Sequence, residues 1–233
     1  ESVVLDLGSI SSLDRDLGSY LSATSVHQEL RYGENPHQKS VWLKSLNPSI
    51  IGWQHADIIQ GKALSYNNLL DLEAAFDLVT QFHEPCCVAV KHNNPCGVAT
   101  ADQIHMAVSQ ACESDSVSVF GGIIAINKPV DEVTAQYLSK IFLECIVAPS
   151  YSPEALAVFE KKKNLRILSA EKLFQKIKIA NSKTTHPLGV ELKSIQGGFL
   201  LQQKDNFPNE IQDEDFSKIP SQIQKDILFG EKV

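Results

Sequence analysis

Cys86-Cys-Val-Ala-Val-Lys-His-Asn-Asn-Pro-Cys-Gly97 is the stretch that decides how this chain is read. Its first five residues form a continuous apolar run without polar alternation, the pattern of a central strand covered on both faces. Polar and turn-forming residues follow at the carboxyl end of that strand, which is where open α/β sheets bind ligands. Just upstream, from Asn68, Leu72, Ala75, Phe76 and Val79 recur at the spacing of one buried helix face. Glu84-Pro85 is read as the end of that helix.

The same alternation continues downstream. Asp102 is placed to cap a helix that turns Ile104, Ala107, Val108 and Ala111 inward. Residues 118–126 read as a second buried strand, with Gly121-Gly122 inside it. Asp131 opens a helix whose apolar side carries Val133, Tyr137, Leu138 and Ile141. Residues 145–148 make a third strand, and Ser152-Pro153-Glu154 combines cap, first-turn proline and acid at the positive dipole end of a helix. Residues 164–168 make a fourth strand, and 195–202 a glycine-interrupted one. Buried strands alternating with amphipathic helices predict an α/β layered domain. On the amino-terminal side lie a polar loop, Arg31-Tyr-Gly-Glu-Asn-Pro-His-Gln38, strand-like residues 40–43 and a turn around Asn47-Pro48. Residues 1–29 are Ser-rich without a sustained period and read as a connector. The start lacks Met and any signal-peptide pattern and reads as a cut end; Ile227-Leu-Phe-Gly-Glu-Lys-Val233 reads as a helix still running.

Composition narrows the classes. The 233 residues are 43% hydrophobic and 21% charged, ordinary for a globular chain with a sizeable core. The formal net charge is -7, and the arginines are only Arg15, Arg31 and Arg166, too sparse for nucleic-acid binding. A single phosphate needs only a local cluster of donors. No apolar stretch approaches the roughly 18 residues of a membrane span. Cys86, Cys87, Cys96, Cys112 and Cys145 sit mostly in apolar surroundings, as free thiols in a reducing cytosol would.

Lys91 beside His92 at a strand end offers a cation and a base together. The residues alone are equally compatible with a solvated lysine and a satisfied turn histidine. Zinc nucleobase deaminase chemistry, by contrast, is broken twice. Pro95-Cys96 is present, but Ala99 stands where the second cysteine belongs, and Asn94 where the H-x-E glutamate belongs. Gly61-Lys62 is no phosphate loop, since Ala56 and Ala63 occupy its first glycine and its hydroxyl position. Gly121-Gly122 marks either a close approach of ligand or a bulge. Arg31 can clamp an anion and Tyr32 can stack on a flat ring, or both can lie in a plain surface loop.

Taken together, several long motifs stand in one order and spacing. They are Leu30-Arg-Tyr-Gly-Glu-Asn-Pro-His-Gln38, Gln60-Gly-Lys-Ala-Leu-Ser-Tyr-Asn-Asn68, Val90-Lys-His-Asn-Asn-Pro-Cys-Gly97, Phe120-Gly-Gly-Ile-Ile-Ala-Ile-Asn127 and Phe142-Leu-Glu-Cys-Ile-Val-Ala-Pro149. Lys162-Lys-Asn-Leu-Arg166 and Gln196-Gly-Gly-Phe-Leu-Leu-Gln202 continue the series. In these the chain resembles the AICAR transformylase/IMP cyclohydrolase family over residues 30–233.

That resemblance implies a fold, a reaction and a site. The fold is cytidine-deaminase-like, a three-layer α/β/α domain without the zinc site. Residues 30–233 would be the N-terminal half of the AICAR transformylase domain, and residues 1–29 at most the tail of an upstream cyclohydrolase domain. The reaction is formyl transfer from 10-formyltetrahydrofolate, a co-substrate, to the 5-amino group of AICAR. His92 fits the general base and Lys91 the cation that stabilises the oxyanion. Arg31, Tyr32, Gly121 and Glu144 match nucleotide-binding positions, with Asp in some relatives at the last. No metal and no bound cofactor are implied; a homodimer with shared sites and a cytoplasmic location are. Two other readings are a non-catalytic AICAR-binding module and a partner half that needs a second chain.

Overall fold

The computed structural model describes residues 24–45, 51–179, 190–203 and 216–233. The expected turn around Asn47-Pro48 and most of the expected connector lie outside these residues. Strands β1 (Thr24–Glu29) and β2 (Val41–Ser45) form an antiparallel hairpin around the polar loop. Next come β3 (Asp57–Gln60), α1 (Tyr66–Val79), β4 (Cys86–Lys91) and β5 (Asn94–Thr100). Helix α2 (Ile104–Ser114), β6 (Ile123–Ile126), α3 (Glu132–Leu138), β7 (Cys145–Ala148), α4 (Pro153–Phe159), β8 (Arg166–Ser169) and α5 (Glu171–Ile179) follow. A second hairpin, β9 (Val190–Ile195) with β10 (Gly198–Gln203), and α6 (Ser221–Gly230) complete the order.

Six strands form one mixed sheet in the order β3-β8-β7-β6-β4-β5. Strands β6, β7 and β8 run parallel, connected through α3 and α4; β3, β4 and β5 are paired antiparallel to their neighbours. The period of two along each strand sends alternate residues to two separate cores. Cys87, Ala89, Ile124, Ile126, Ile146 and Ile167 meet helices α2, α3 and α4 on one face. Cys86, Val88, Val90, Ile123, Ala125, Val147 and Leu168 meet α1 and α5 on the other. The expected α/β class is therefore seen as a mixed sheet flanked by helices. It also explains why β4 carries no polar alternation: both of its faces are covered.

Helix α1 buries Leu72, Ala75, Phe76 and Val79, the face its sequence marks. It begins at Tyr66, capped reciprocally by Ser65 Oγ on the Asn68 amide at 3.2 Å and Asn68 Oδ1 on the Ser65 amide at 3.1 Å. Thr80 closes it, so Glu84-Pro85 lies in the following loop and does not end the helix. That loop is pinned by buried Asn127, which donates to Phe82 and Glu84 carbonyls and accepts from the Cys86 amide. Asp131 and Ser152 cap α3 and α4 through their side chains as their spacing predicts.

Other expectations need correction. Asp102 is not the cap of α2: Gln103 holds that position, with no side-chain cap bond. Val133 is 57% exposed, because α3 turns Thr134, Ala135 and Leu138 inward instead. The strand expected at 118–126 is only its second half. Residues 115–121 form a turn in which Asp115 Oδ1 accepts the amides of Val117 and Ser118, so Gly121-Gly122 precede β6. Gly197, at φ +81°, makes the β9–β10 turn and does not interrupt one strand. Helix α6 ends at Gly230, with Glu231 as its cap. Thr24–Glu29, without a readable period, is a paired strand.

Gly97 lies where β5 crosses under α2: a methyl group there would stand 1.9 Å from the Ala111 carbonyl oxygen. Neither backbone can yield without opening the sheet–helix contact. Gly97→Ala is expected to destabilise the fold by about 1–3 kcal/mol, whereas Gly198→Ala, with nothing within 4 Å, should change it by about 0.5 kcal/mol or less. Urea unfolding of the two variants checks this.

Candidate active site at the β4–β5 turn

The residues after Val90 form no open loop. Lys91 pairs with Asn94, and His92-Asn93 is the whole connection between β4 and β5. Both residues have positive φ, +54° and +64°, as a two-residue hairpin turn requires. Pro95 is tolerated because β5 is the edge of the sheet. The left-handed conformation disfavours most side chains, yet the sequence puts His and Asn here instead of Gly. Asn94 Nδ2 bonds the His92 carbonyl at 2.9 Å, and the Asn93 amide donates to Asp71 Oδ1 at 2.7 Å.

The direction of β4 determines what this turn meets. Because β4 is antiparallel to β6, with Val90 opposite Ile123, its carboxyl end lies at the amino ends of β6, β7 and β8. The reactive-looking residues thus gather at the opposite end of the parallel strands from the usual ligand edge. Lys91 Nζ donates to the Phe120 carbonyl at 2.8 Å, which brings it beside Gly121. Gly121, at φ +74°, donates its amide to the Phe142 carbonyl at 2.7 Å, and the Glu144 amide donates to Gly122 at 3.0 Å. Its positive φ is what requires glycine at 121. At 122 a side chain would stand 2.9 Å from the Val90 carbonyl oxygen.

Glu144 is held from behind. Its carboxylate accepts from the Arg166 guanidinium at 2.6 Å, and Arg166 is 3% exposed. The same guanidinium donates Nε and an NH2 hydrogen to the Ala63 carbonyl, each at 3.1 Å. Arg31 and Tyr32 arrive by a different route. The Tyr66 amide donates to the Tyr32 carbonyl at 3.3 Å and Asn67 Nδ2 to the Glu34 carbonyl at 3.0 Å, fastening the polar loop to the start of α1. Asp71 lies five positions after Tyr66, about 7.5 Å along a helix axis. The Arg31 guanidinium lies 5.3 Å over the Tyr32 ring. Lys91, His92, Gly121 and Glu144 therefore share one edge, whereas the loop of Arg31 and Tyr32 is fastened, among the described residues, to the start of α1.

A family model described as AICARFT/IMPCHase bienzyme matches residues 9–233. The chain belongs to this family. The match starts upstream of Leu30, where the quoted motifs begin. The chain is 46% identical over 194 residues to the bifunctional purine biosynthesis protein PurH of Bacillus mycoides (strain KBAB4), covering 83% of this chain and 35% of that protein. It is 48% identical over 178 residues to the protein of the same name in Bacillus cereus (strain G9842), covering 76% and 33%. It thus spans about a third of the length of these relatives. The solved structure of Acinetobacter baumannii RibD, form 2, overlaps at a TM-score of 0.33 and 15% identity, over 52% of this chain and 39% of that one, which is too little to argue from.

Several polar residues of these motifs serve the fold. Asn127 and Arg166 are structural, since their polar atoms are bonded to backbone or to Glu144. Cys96 is packed against the core, its thiol 3.5 Å from the Ala89 carbonyl. Burial pushes Cys86 and Cys145 up to about 12, which removes them as thiolate nucleophiles. Among the described residues, no three His, Cys, Asp or Glu side chains cluster to hold a metal, and no helix is long and apolar enough to cross a membrane.

Sequence reading missed Asp71. It lies one position before Leu72 on α1, partly buried, and its carboxyl is raised above the usual range. Burial is the largest cause, opposed by the Asn93 amide, the charge of His92 and the His92 amide. Its only sequence signal is an acid beside a core position of α1, a common surface pattern.

Strain at the turn yields a stability test. His92→Gly removes the left-handed penalty and is expected to leave stability unchanged or higher by up to about 1 kcal/mol. His92→Val, β-branched in the same conformation, should lose about 1–2 kcal/mol. Denaturant midpoints of the two variants measure the difference.

Proposed function

We propose that this chain carries the catalytic pair of a formyl transfer in purine biosynthesis: from 10-formyltetrahydrofolate to the 5-amino group of AICAR, giving FAICAR. The observation that carries the reading is the pairing of Lys91 and His92 on a rigid turn, with the lysine ammonium tethered beside Gly121. Membership in a family described as AICARFT/IMPCHase, and relatives named for purine biosynthesis, support it.

The chemistry asks for two groups of this kind. The acceptor amine is a weak nucleophile, because its lone pair is drawn into the imidazole and carboxamide. As nitrogen attacks the formyl carbon, His92 takes the amine's proton. The carbonyl oxygen becomes an oxyanion, and Lys91 stabilises it with N–H donors not used by Phe120. Collapse breaks the bond from the formyl carbon to N10 of the folate, and tetrahydrofolate leaves with a proton. Arg31 holds the nucleotide phosphate, Tyr32 stacks on the ring, the Gly121 turn lets the nucleotide approach, and Glu144 accepts from a ligand hydroxyl. No metal and no bound cofactor enter this scheme.

On this reading, residues 30–233 are the N-terminal half of the transformylase domain, with a cytidine-deaminase-like three-layer fold. Residues 1–29 are a connector, at most the tail of a cyclohydrolase domain, and the enzyme works in the cytoplasm as a homodimer. A second reading, a half that needs another polypeptide to complete its site, is favoured by one feature. Phe120 and Phe142 are 59% and 49% exposed at the edge beside Lys91, with ring centroids 5.1 Å apart.

In a full-length enzyme containing these residues, His92→Ala is expected to lower turnover by roughly a hundredfold or more. AICAR affinity should change far less. Lys91→Ala should act mainly on turnover as well. Following tetrahydrofolate release alongside AICAR titration separates the two effects. Unchanged turnover in His92→Ala would remove the base from this scheme. The same assay on the 233-residue chain, alone and mixed with the remaining segment of a relative, separates the self-sufficient reading from the partner reading.

A further inference from the structure

The proposed base stands on a two-residue hairpin tip whose His92 and Asn93 both take the left-handed conformation. Pairing of Lys91 with Asn94 across two residues requires the left-handed geometry of the turn, but does not set how its tip stands against the rest of the fold. Contact from outside the hairpin comes from α1, where Asp71 Oδ1 accepts the Asn93 amide at 2.7 Å. That length is typical of a charge-assisted bond. The helix behind Asp71 is packed into the core, since Leu72, Ala75 and Val79 are fully buried. Asp71 itself is partly buried, while Asn93 stands at the exposed tip of the hairpin.

We propose that Asp71 is the positioning residue of the reactive turn. Its carboxylate anchors the His92-Asn93 tip to α1 and so sets where the His92 imidazole stands relative to the Lys91 ammonium. The inference rests on the formyl-transfer reading for its effect on turnover, but its structural part stands on the turn alone. Asp71 acts through His92 and needs no contact with substrate. The charged and titratable groups around it are His92 on the turn and Cys145 on β7, with Glu144 and Arg166 next to Cys145.

The test uses the full-length enzyme and three variants. Asp71→Ala should lower kcat by about ten- to a hundredfold, the scale of a misplaced catalytic group, with KM for AICAR within about threefold. Amide hydrogen exchange at Asn93 should quicken by about tenfold or more. Asp71→Asn keeps an oxygen that accepts from the Asn93 amide; it should restore protection at Asn93 and most of kcat. In a His92→Ala background, Asp71→Ala should cost nothing further, because residues acting as a unit are not additive. Unchanged kcat in Asp71→Ala despite a deprotected Asn93 would overturn the proposal. So would an Asp71→Asn variant that is protected at Asn93 yet as slow as Asp71→Ala, and so would additive losses in the double variant. If Asp71→Ala fails to fold, Asp71→Asn and the double variant His92→Ala/Asp71→Asn decide by the same criteria. Should His92→Ala alone leave turnover intact, the formyl-transfer reading of the turn fails, and exchange at Asn93 still reports separately whether Asp71 holds the turn.

Discussion

One constraint organises the site: β4 runs against β6. The register that sets Val90 opposite Ile123 carries the end of β4 to the start of the parallel strands. A parallel β4 would have put Lys91 and His92 at the far end of the sheet from Gly121, Glu144 and Arg166. The reversal also explains the following turn. An antiparallel neighbour can return at once through two residues, whereas a parallel one needs a crossover of a dozen or more. The chain therefore places its reactive-looking pair on a hairpin with almost no conformational freedom instead of on a long loop.

Holding that edge together falls largely to a buried cation. Removing a guanidinium from water costs several kcal/mol unless its hydrogens are matched, and Arg166 answers with the Glu144 carboxylate and two bonds to the Ala63 carbonyl. These contacts tie the start of β8, the residue before β7 and the segment entering α1 into one unit. Gly61 makes the approach possible, since a side chain there would stand 2.5 Å from the Leu165 carbonyl oxygen. The cost of burying Arg166 is thus coupled to the placement of Glu144. A lysine would be a poor replacement, for it lacks the planar fork that reaches both acceptors.

Much of this frame was legible in the residues. The apolar runs of β4 and β7, the buried face of α1 and the caps Asp131 and Ser152 depend on local chemistry that a short window contains. What escaped depends on partners distant in sequence. Asn94-Pro-Cys-Gly97 has the composition of a turn, and only pairing with β4 makes it a strand. Val119 and Phe120 read on into the strand they precede, but Asp115 accepts the Val117, Ser118 and Val119 amides and holds them in a turn outside the sheet. Lys91, His92, Gly121 and Glu144 were each named, yet nothing in their spacing reveals that they share an edge. Asp71 stayed hidden because its acceptor role exists only once α1 and the hairpin meet.

For the proposed chemistry, the tether between Lys91 and Phe120 bears on how a lysine serves as an oxyanion donor. A free lysine side chain loses about 1.5–2 kcal/mol of rotamer freedom when it is ordered. Here the 2.8 Å bond to the Phe120 carbonyl already orders it in the resting chain and leaves two ammonium hydrogens unused by that bond. The carbonyl belongs to the turn that leads into Gly121, so the position of the ammonium is set by the same backbone that would receive the nucleotide. Preorganisation of this kind is worth more to catalysis than an equally strong bond formed only after binding, because no reorientation accompanies the appearance of charge. The strain at His92 follows the same logic from the other side of the hairpin. Both groups are held before the substrate arrives, the lysine by a carbonyl of the neighbouring turn and the histidine by a turn its own side chain does not favour.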